Sequence, residues 1–165
     1  MTTVFRNGLL IALIVIVFDQ LTKLWAASSL GYASPVPIFP SFNLTLLHNP
    51  GAAFSFLGDA DGWQRWFFLA LALGVSTWLA LWLRKLGEGE RWMGLSLALL
   101  IGGALGNAID RVYLGYVIDF IDLYCCGYHW PAFNVADSAI SVGAVWLFVL
   151  MWNQDKDVRK QEAEK

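Results

Sequence analysis

Three stretches of this chain, residues 66–83, 92–109 and 138–154, contain no Asp, Glu, Lys or Arg and are dense in Leu, Ala, Val and aromatic side chains. A spanning helix needs about 17–25 predominantly apolar residues. All three runs reach that length. Inside hydrocarbon the backbone must satisfy its own hydrogen bonds, so each run is predicted to be a transmembrane helix. A fourth span is assigned to residues 8–27. Its purely apolar part, 8–18, is short enough for a signal-peptide core, and Ala26-Ala27-Ser28 offers small residues for cleavage. The upstream region holds one basic residue, Arg6, and Asp19 and Lys23 lie inside the segment. These features favour a retained anchor helix.

Composition agrees. Hydrophobic residues make up 58% of the chain and charged residues only 15%, against about 25% charged in a soluble domain. A net charge of −2 gives no basis for a nucleic-acid partner. Arg84, Lys85 and Arg91 lie between the second and third spans, and Lys156, Arg159, Lys160 and Lys165 follow the fourth. The other two connections carry only Arg65 and Arg111. The positive-inside rule then puts both termini in the cytoplasm. Trp25, Trp63, Trp66, Trp82, Trp92, Trp130 and Trp152 fall near span ends, where an interfacial aromatic belt belongs. Residues 1–153 read as one membrane-embedded domain and 155–165 as a charged, solvated tail.

The first external connection is too apolar to float in water. Pro35-Val36-Pro37-Ile38-Phe39-Pro40 precedes Phe42-Asn43-Leu44-Thr45-Leu46-Leu47, which reads as one or two short strands. Asn49-Pro50-Gly51 is a turn leading to small and aromatic residues through Phe56. Asp61 is a plausible cap for the second span.

Ionisable residues at a bilayer edge are costly and are functional candidates by default. Asp119 sits in the apolar run Tyr116-Val117-Ile118-Asp119-Phe120, and Asp122 is its nearest decoy. Asp137 opens the fourth span, three residues after Asn134. It reads either as a helix cap or as an active carboxylate. Two carboxylates in one low-dielectric site would share a proton, the condition for aspartyl-type acid/base hydrolysis. Asp19 and Lys23, four apart, share a helix face and read as an ion pair or as a support for the site. Asn107, Asp110 and Arg111 share a face at the end of the third span, after Gly102-Gly103-Ala104-Leu105-Gly106, whose small residues permit close helix approach. A structural role fits Asp110 and Arg111 best, with a backbone carbonyl or a lipid headgroup as a further partner for Arg111. His48 and His129 stand alone, and Cys125-Cys126 are adjacent. No spacing suggests a metal site, and no cofactor is expected.

Five segments in order resemble the bacterial lipoprotein signal peptidases, or signal peptidase II. They are Phe18-Asp19-Gln20-Leu21-Thr22-Lys23, Asn49-Pro50-Gly51-Ala52-Ala53-Phe54, Gly106-Asn107-Ala108-Ile109-Asp110-Arg111, Val117-Ile118-Asp119-Phe120 and Phe133-Asn134-Val135-Ala136-Asp137-Ser138. The resemblance covers about residues 8–153. It implies an all-α integral membrane protein of four transmembrane helices with a small periplasmic β-cradle, about residues 36–58, in the bacterial inner membrane. It implies Asp119 and Asp137 as catalytic aspartates. Asn49, Gly51, Asn107, Arg111 and Asn134 would then hold substrate and dyad, with Asp19, Lys23 and Asp110 supporting them. The implied substrate is a prolipoprotein whose Cys carries diacylglyceryl, cut just before that Cys among membrane lipids, and globomycin-type inhibitors are implied as ligands. A small proton-coupled carrier using the same Asp residues as a relay is the alternative. The long apolar external segment argues against it.

Overall fold

The computed structural model describes residues 1–51 and 62–163, with residue 155 and residues 157–163 described by backbone alone. Among the described residues, four helices are long and apolar enough to cross a membrane. They are α1 (Thr3–Ser29), α2 (Trp63–Lys85), α3 (Arg91–Tyr113) and α4 (Val135–Ala163). Each extends beyond its apolar run, and α4 continues past Gln154 into the charged tail. Thr2 caps α1, its hydroxyl accepting the Phe5 N–H at 3.2 Å. Asp61 lies outside the described residues, and Gly62, at φ 89°, directly precedes α2.

The bundle is built around α3. In its spanning segment 61% of residues are buried, against 17% to 22% in the other three. It packs extensively on α1, α2 and α4, while α2 and α4 flank it without comparable packing on each other. Lipid supplies no hydrophobic drive between helices, so close approach depends on small residues and polar contacts. The glycine run of α3 provides the first. A Cβ on Gly103 would meet the Ala136 carbonyl of α4, and one on Gly106 would stand 2.7 Å from Asp19 Oδ2 of α1. Leu9, Leu13, Val17 and Leu24 of α1, and Val145, Phe148 and Trp152 of α4, point outward. In a bilayer those faces meet acyl chains. Trp25, Trp63, Trp66, Trp92, Trp130 and Trp152 are exposed, as a belt requires, whereas Trp82 is partly buried against the core.

The α1–α2 and α3–α4 connections both contribute to one four-stranded antiparallel sheet, in order β1 (Val36–Phe39), β2 (Phe42–Asn49), β3 (Val117–Cys125), β4 (Tyr128–His129). The extended structure expected over 36–58 accounts for β1 and β2, and residues 52–58 of it lie outside the described residues. The apolar run around Asp119 is the long strand β3, which the sequence did not single out as a strand. Pro37 lies on the edge strand, where its missing N–H is tolerated. Ala26 of α1, Leu46 of β2, and Ile118 and Phe120 of β3 form a buried cluster. It locks the sheet onto one end of the bundle.

Candidate active site

Asp119 and Asp137 are far apart in sequence, and the backbone folds them together in two steps. β2 pairs with β3 so that Asn49 faces Val117 and Leu47 faces Asp119. After β4 the chain turns back along β3, and Phe133 exchanges backbone hydrogen bonds with Ile121 at 2.9 and 3.1 Å. That pairing delivers Asn134 beside Asp119. Asn134 directly precedes α4 and Asp137 lies in its first turn, so the two form a reciprocal capping box. Asn134 Oδ1 accepts the Asp137 N–H at 2.9 Å, and Asp137 Oδ2 accepts the Asn134 N–H at 3.2 Å. The cap reading of Asp137 therefore holds.

Three asparagine amides face the carboxylates. Asn49 Nδ2 donates to Asp119 Oδ2 at 3.0 Å, and Asn134 Nδ2 to Asp119 Oδ1 at 2.8 Å. Asn107 Nδ2 donates to Asp137 Oδ1 at 2.7 Å. Each amide is oriented by what its oxygen accepts. Asn49 Oδ1 takes the Gly51 N–H at 3.0 Å, and Asn134 Oδ1 takes the Asp137 N–H. Asn107 Oδ1 takes Lys23 Nζ at 2.9 Å, and an ammonium can only donate. The nitrogen ends must then point at the aspartates.

Lys23 and its partners lie behind this layer. Its ammonium meets Asp19 Oδ2 at 2.8 Å and Asp110 Oδ2 at 3.0 Å, with all three side chains buried. Asp19 Oδ1 accepts the Ala136 N–H at 2.9 Å, tying α1 to the start of α4. Asp110 Oδ2 accepts the Ile118 N–H at 3.0 Å, tying α3 to β3. The Asp19–Lys23 ion pair expected from their spacing is thus present. Arg111 Nη2 donates to the Gly51 carbonyl at 2.8 Å and Nη1 to the Asn107 carbonyl at 3.2 Å, with its guanidinium carbon 5.2 Å from the Phe68 ring centre. A backbone carbonyl is indeed its partner.

Asp119 is 3% exposed. Burial, and then the charge of Asp137, push its pKa from 3.8 to about 7, against the Asn49 and Asn134 hydrogen bonds and the Lys23 charge. Asp122 moves the other way. Burial raises it, but the His129, Asn43 and Thr45 side chains outweigh that and leave it below the usual range. Their contacts are 2.7, 3.1 and 2.9 Å. Asp122 is thus a fastening of the sheet, which distinguishes it from Asp119.

Asp137 is half-buried and lines a cleft of about 660 Å³ between α2 and α4, walled by Phe68, Leu71, Val75, Ile140 and Val142. Asp119 lines a second recess of about 710 Å³ on the sheet side. Asn49 and the strap Trp130-Pro131-Ala132 border both. The described residues include no group of three or more His, Cys, Asp or Glu side chains able to hold a metal ion.

Sequence reasoning missed three features. Gln20 Nε2 donates to Asp110 Oδ1 at 2.8 Å and to the Gly106 carbonyl at 3.2 Å, and its place beside Asp19 was the available signal. His129 pairs with Asp122. The strap carried only the signal of a Pro between aromatic residues.

The family model described as Signal peptidase (SPase) II matches residues 11–153. A protein named lipoprotein signal peptidase from Acinetobacter baumannii is 52% identical over 139 residues, 84% of this chain and 79% of that protein. One of the same name from Burkholderia mallei is 54% identical over 137 residues, 83% and 82%. A bacterial membrane enzyme solved in meso at 2.3 Å superposes with a TM-score of 0.82 at 32% identity, covering 92% of this chain and 91% of that one. A second, at 1.9 Å, gives 0.77 at 33% identity, covering 88% and 92%. Motif order, fold and relatives converge, and the chain belongs to the signal peptidase II family.

Proposed function

We propose that this protein removes signal peptides from prolipoproteins by metal-free aspartyl proteolysis, with Asp119 and Asp137 as the dyad. One observation supports this above others. Two carboxylates on separate elements meet at one Asn, each facing a fixed amide donor, where an apolar cleft reaches the outer end of the bundle. One carboxylate activates water and its protonated partner donates to the scissile carbonyl oxygen. The proton belongs to the dyad as a unit. The amides of Asn49, Asn107 and Asn134 hold the carboxylates in register. Gly51 and Arg111 border the substrate path, and Asp19, Lys23 and Asp110 fix the helices that carry it.

The cleft between α2 and α4 suits an apolar signal helix, because its walls are aliphatic and aromatic. The scissile bond would lie at the strap, where cleft and sheet-side recess meet. A Cys carrying diacylglyceryl keeps its acyl chains in the bilayer at about 0.8 kcal/mol per buried CH₂. That anchorage places the peptide at the depth of the dyad and lowers the entropy of positioning. Globomycin-type inhibitors would compete for the same cleft. The protein would sit in the bacterial inner membrane, both termini cytoplasmic and the sheet outward, with Lys and Arg as the orienting signal. A proton-coupled carrier is not supported, since the family and the named relatives are peptidases. The buried carboxylates and their cations cluster at the sheet end, where amides fix them.

The test is cleavage of a purified lipid-modified precursor against its unmodified form, in one detergent. The modified form should be cut far faster. Equal rates would contradict lipid-directed positioning, and no mature product from either would overturn the peptidase reading.

A further inference from the structure

Cys125 and Cys126 take no part in the site described above. Both are exposed free thiols, and their Sγ atoms are 3.0 Å apart. They occupy the tip of the β3–β4 hairpin. Cys125 pairs with Tyr128, leaving Cys126 and Gly127 as a two-residue loop with φ 55° and 83°. Positive φ at both positions is the pattern of a type I′ turn, which Asn-Gly normally fills. A Cys at the first position is conformationally costly. The register that seats it also determines the strap. Tyr124 pairs with His129, His129 Nδ1 meets Asp122 at 2.7 Å, and the Trp130 N–H reaches the Leu123 carbonyl at 2.7 Å. The next residues, Pro131 and Ala132, border both recesses beside the dyad.

We infer that Cys125 and Cys126 form a reversible thiol–disulfide site whose redox state adjusts the strap. Adjacent Cα atoms stand about 3.8 Å apart across a trans peptide, short of the span of about 4.4–6.8 Å of ordinary disulfides. A bond between neighbours is therefore strained, and strained, exposed disulfides are the labile ones. Such a pair suits cycling rather than permanent bracing. In the outward orientation proposed above, the tip meets a compartment where disulfide exchange operates. The oxidant is a disulfide-bearing exchange partner. One Cys thiolate attacks its disulfide, forming a mixed disulfide and releasing one thiol. The neighbouring thiolate then displaces the second thiol and closes the Cys125–Cys126 bond. Two protons leave the cysteines, and two electrons pass to the partner, which ends as two thiols. Closure constrains the turn, shifts the β3–β4 register and moves the strap.

The full-length protein in detergent is treated with oxidised glutathione or with dithiothreitol, alongside the Cys125→Ser/Cys126→Ser variant. The oxidised protein should lose the mass of two hydrogens as a monomer, with its Cys125–Cys126 peptide resistant to alkylation. Dithiothreitol should reverse the change. Phenylarsine oxide should label only the reduced parent. KM for the lipid-modified precursor should differ several-fold between the two redox states of the parent and not at all for the variant, which should match the reduced parent. Alkylatable thiols throughout, stable glutathione adducts, cross-linked dimers or identical kinetics in both states would overturn the inference. The coupling to KM rests on the proposed function, whereas the mass readout does not. Loss of all cleavage with an intact mass shift would therefore fault that function rather than the thiol site.

Discussion

Asp119 carries the most informative charge in the chain because its surroundings oppose ionisation. Its pKa rises from 3.8 to about 7 on folding, first through burial and then through Asp137. The folded state therefore binds this proton more tightly than the unfolded chain does. Its contribution to stability is full below the unfolded value and is lost as pH rises through about 7. Thermal unfolding of the parent and of Asp119→Asn in one detergent, between about pH 4 and pH 8, should shift steadily in the variant's favour as pH rises. A pH-independent difference would mean that Asp119 ionises as freely folded as unfolded. Cleavage has the same sign: kcat/KM should fall on the alkaline side of about 7 as the dyad loses its shared proton. Asp119 was legible in the sequence because an acid between Val117-Ile118 and Phe120-Ile121 has no cheap explanation. The Asp122–His129 pair was not, because their contact depends on the register across the hairpin tip.

The elements divide the same way. The helices could be read directly, since a bilayer demands continuous apolar length. β3 could not, because a short apolar run around an acid suits either strand or helix. The capping box was half legible. Asn134 and Asp137 have the spacing of a cap, but the sequence could not show that Asn134 also holds Asp119. Asn134→Ala should lose a cap worth about 1 kcal/mol and also the donor to Asp119. Turnover should then fall far more than stability, measured by kcat beside an unfolding curve. A modest loss of both in proportion would reduce Asn134 to a cap. Gly103 was legible as a small residue, and the structure gives it a partner, the Ala136 carbonyl. Gly103→Val would separate α3 from α4, where overpacking costs about 1–3 kcal/mol. A lowered midpoint of thermal unfolding in detergent is expected, together with loss of cleavage. An unchanged midpoint would contradict the close packing.

At the scale of the whole molecule, one helix carries the design. α3 draws α1 and α4 close through its glycines and leaves α2 and α4 apart, which opens a lateral cleft ending at Asp137. The sheet, fed by the α1–α2 and α3–α4 connections, places Asp119 from the other side. The polar layer of Asp19, Lys23, Asp110 and Asn107 joins the two halves. The sequence displayed these residues in order but not their assembly, since hydropathy places helices in the membrane without specifying their neighbours. The central claim is that Asp119 and Asp137 together cut the precursor without a metal. The most direct measurement is the yield of mature product from a lipid-modified precursor, with EDTA present, using purified parent, Asp119→Asn and Asp137→Asn, each confirmed folded. The account predicts full conversion by the parent and none by either variant. Substantial turnover by a variant, or loss of the parent's activity in EDTA with recovery on adding zinc, would contradict it.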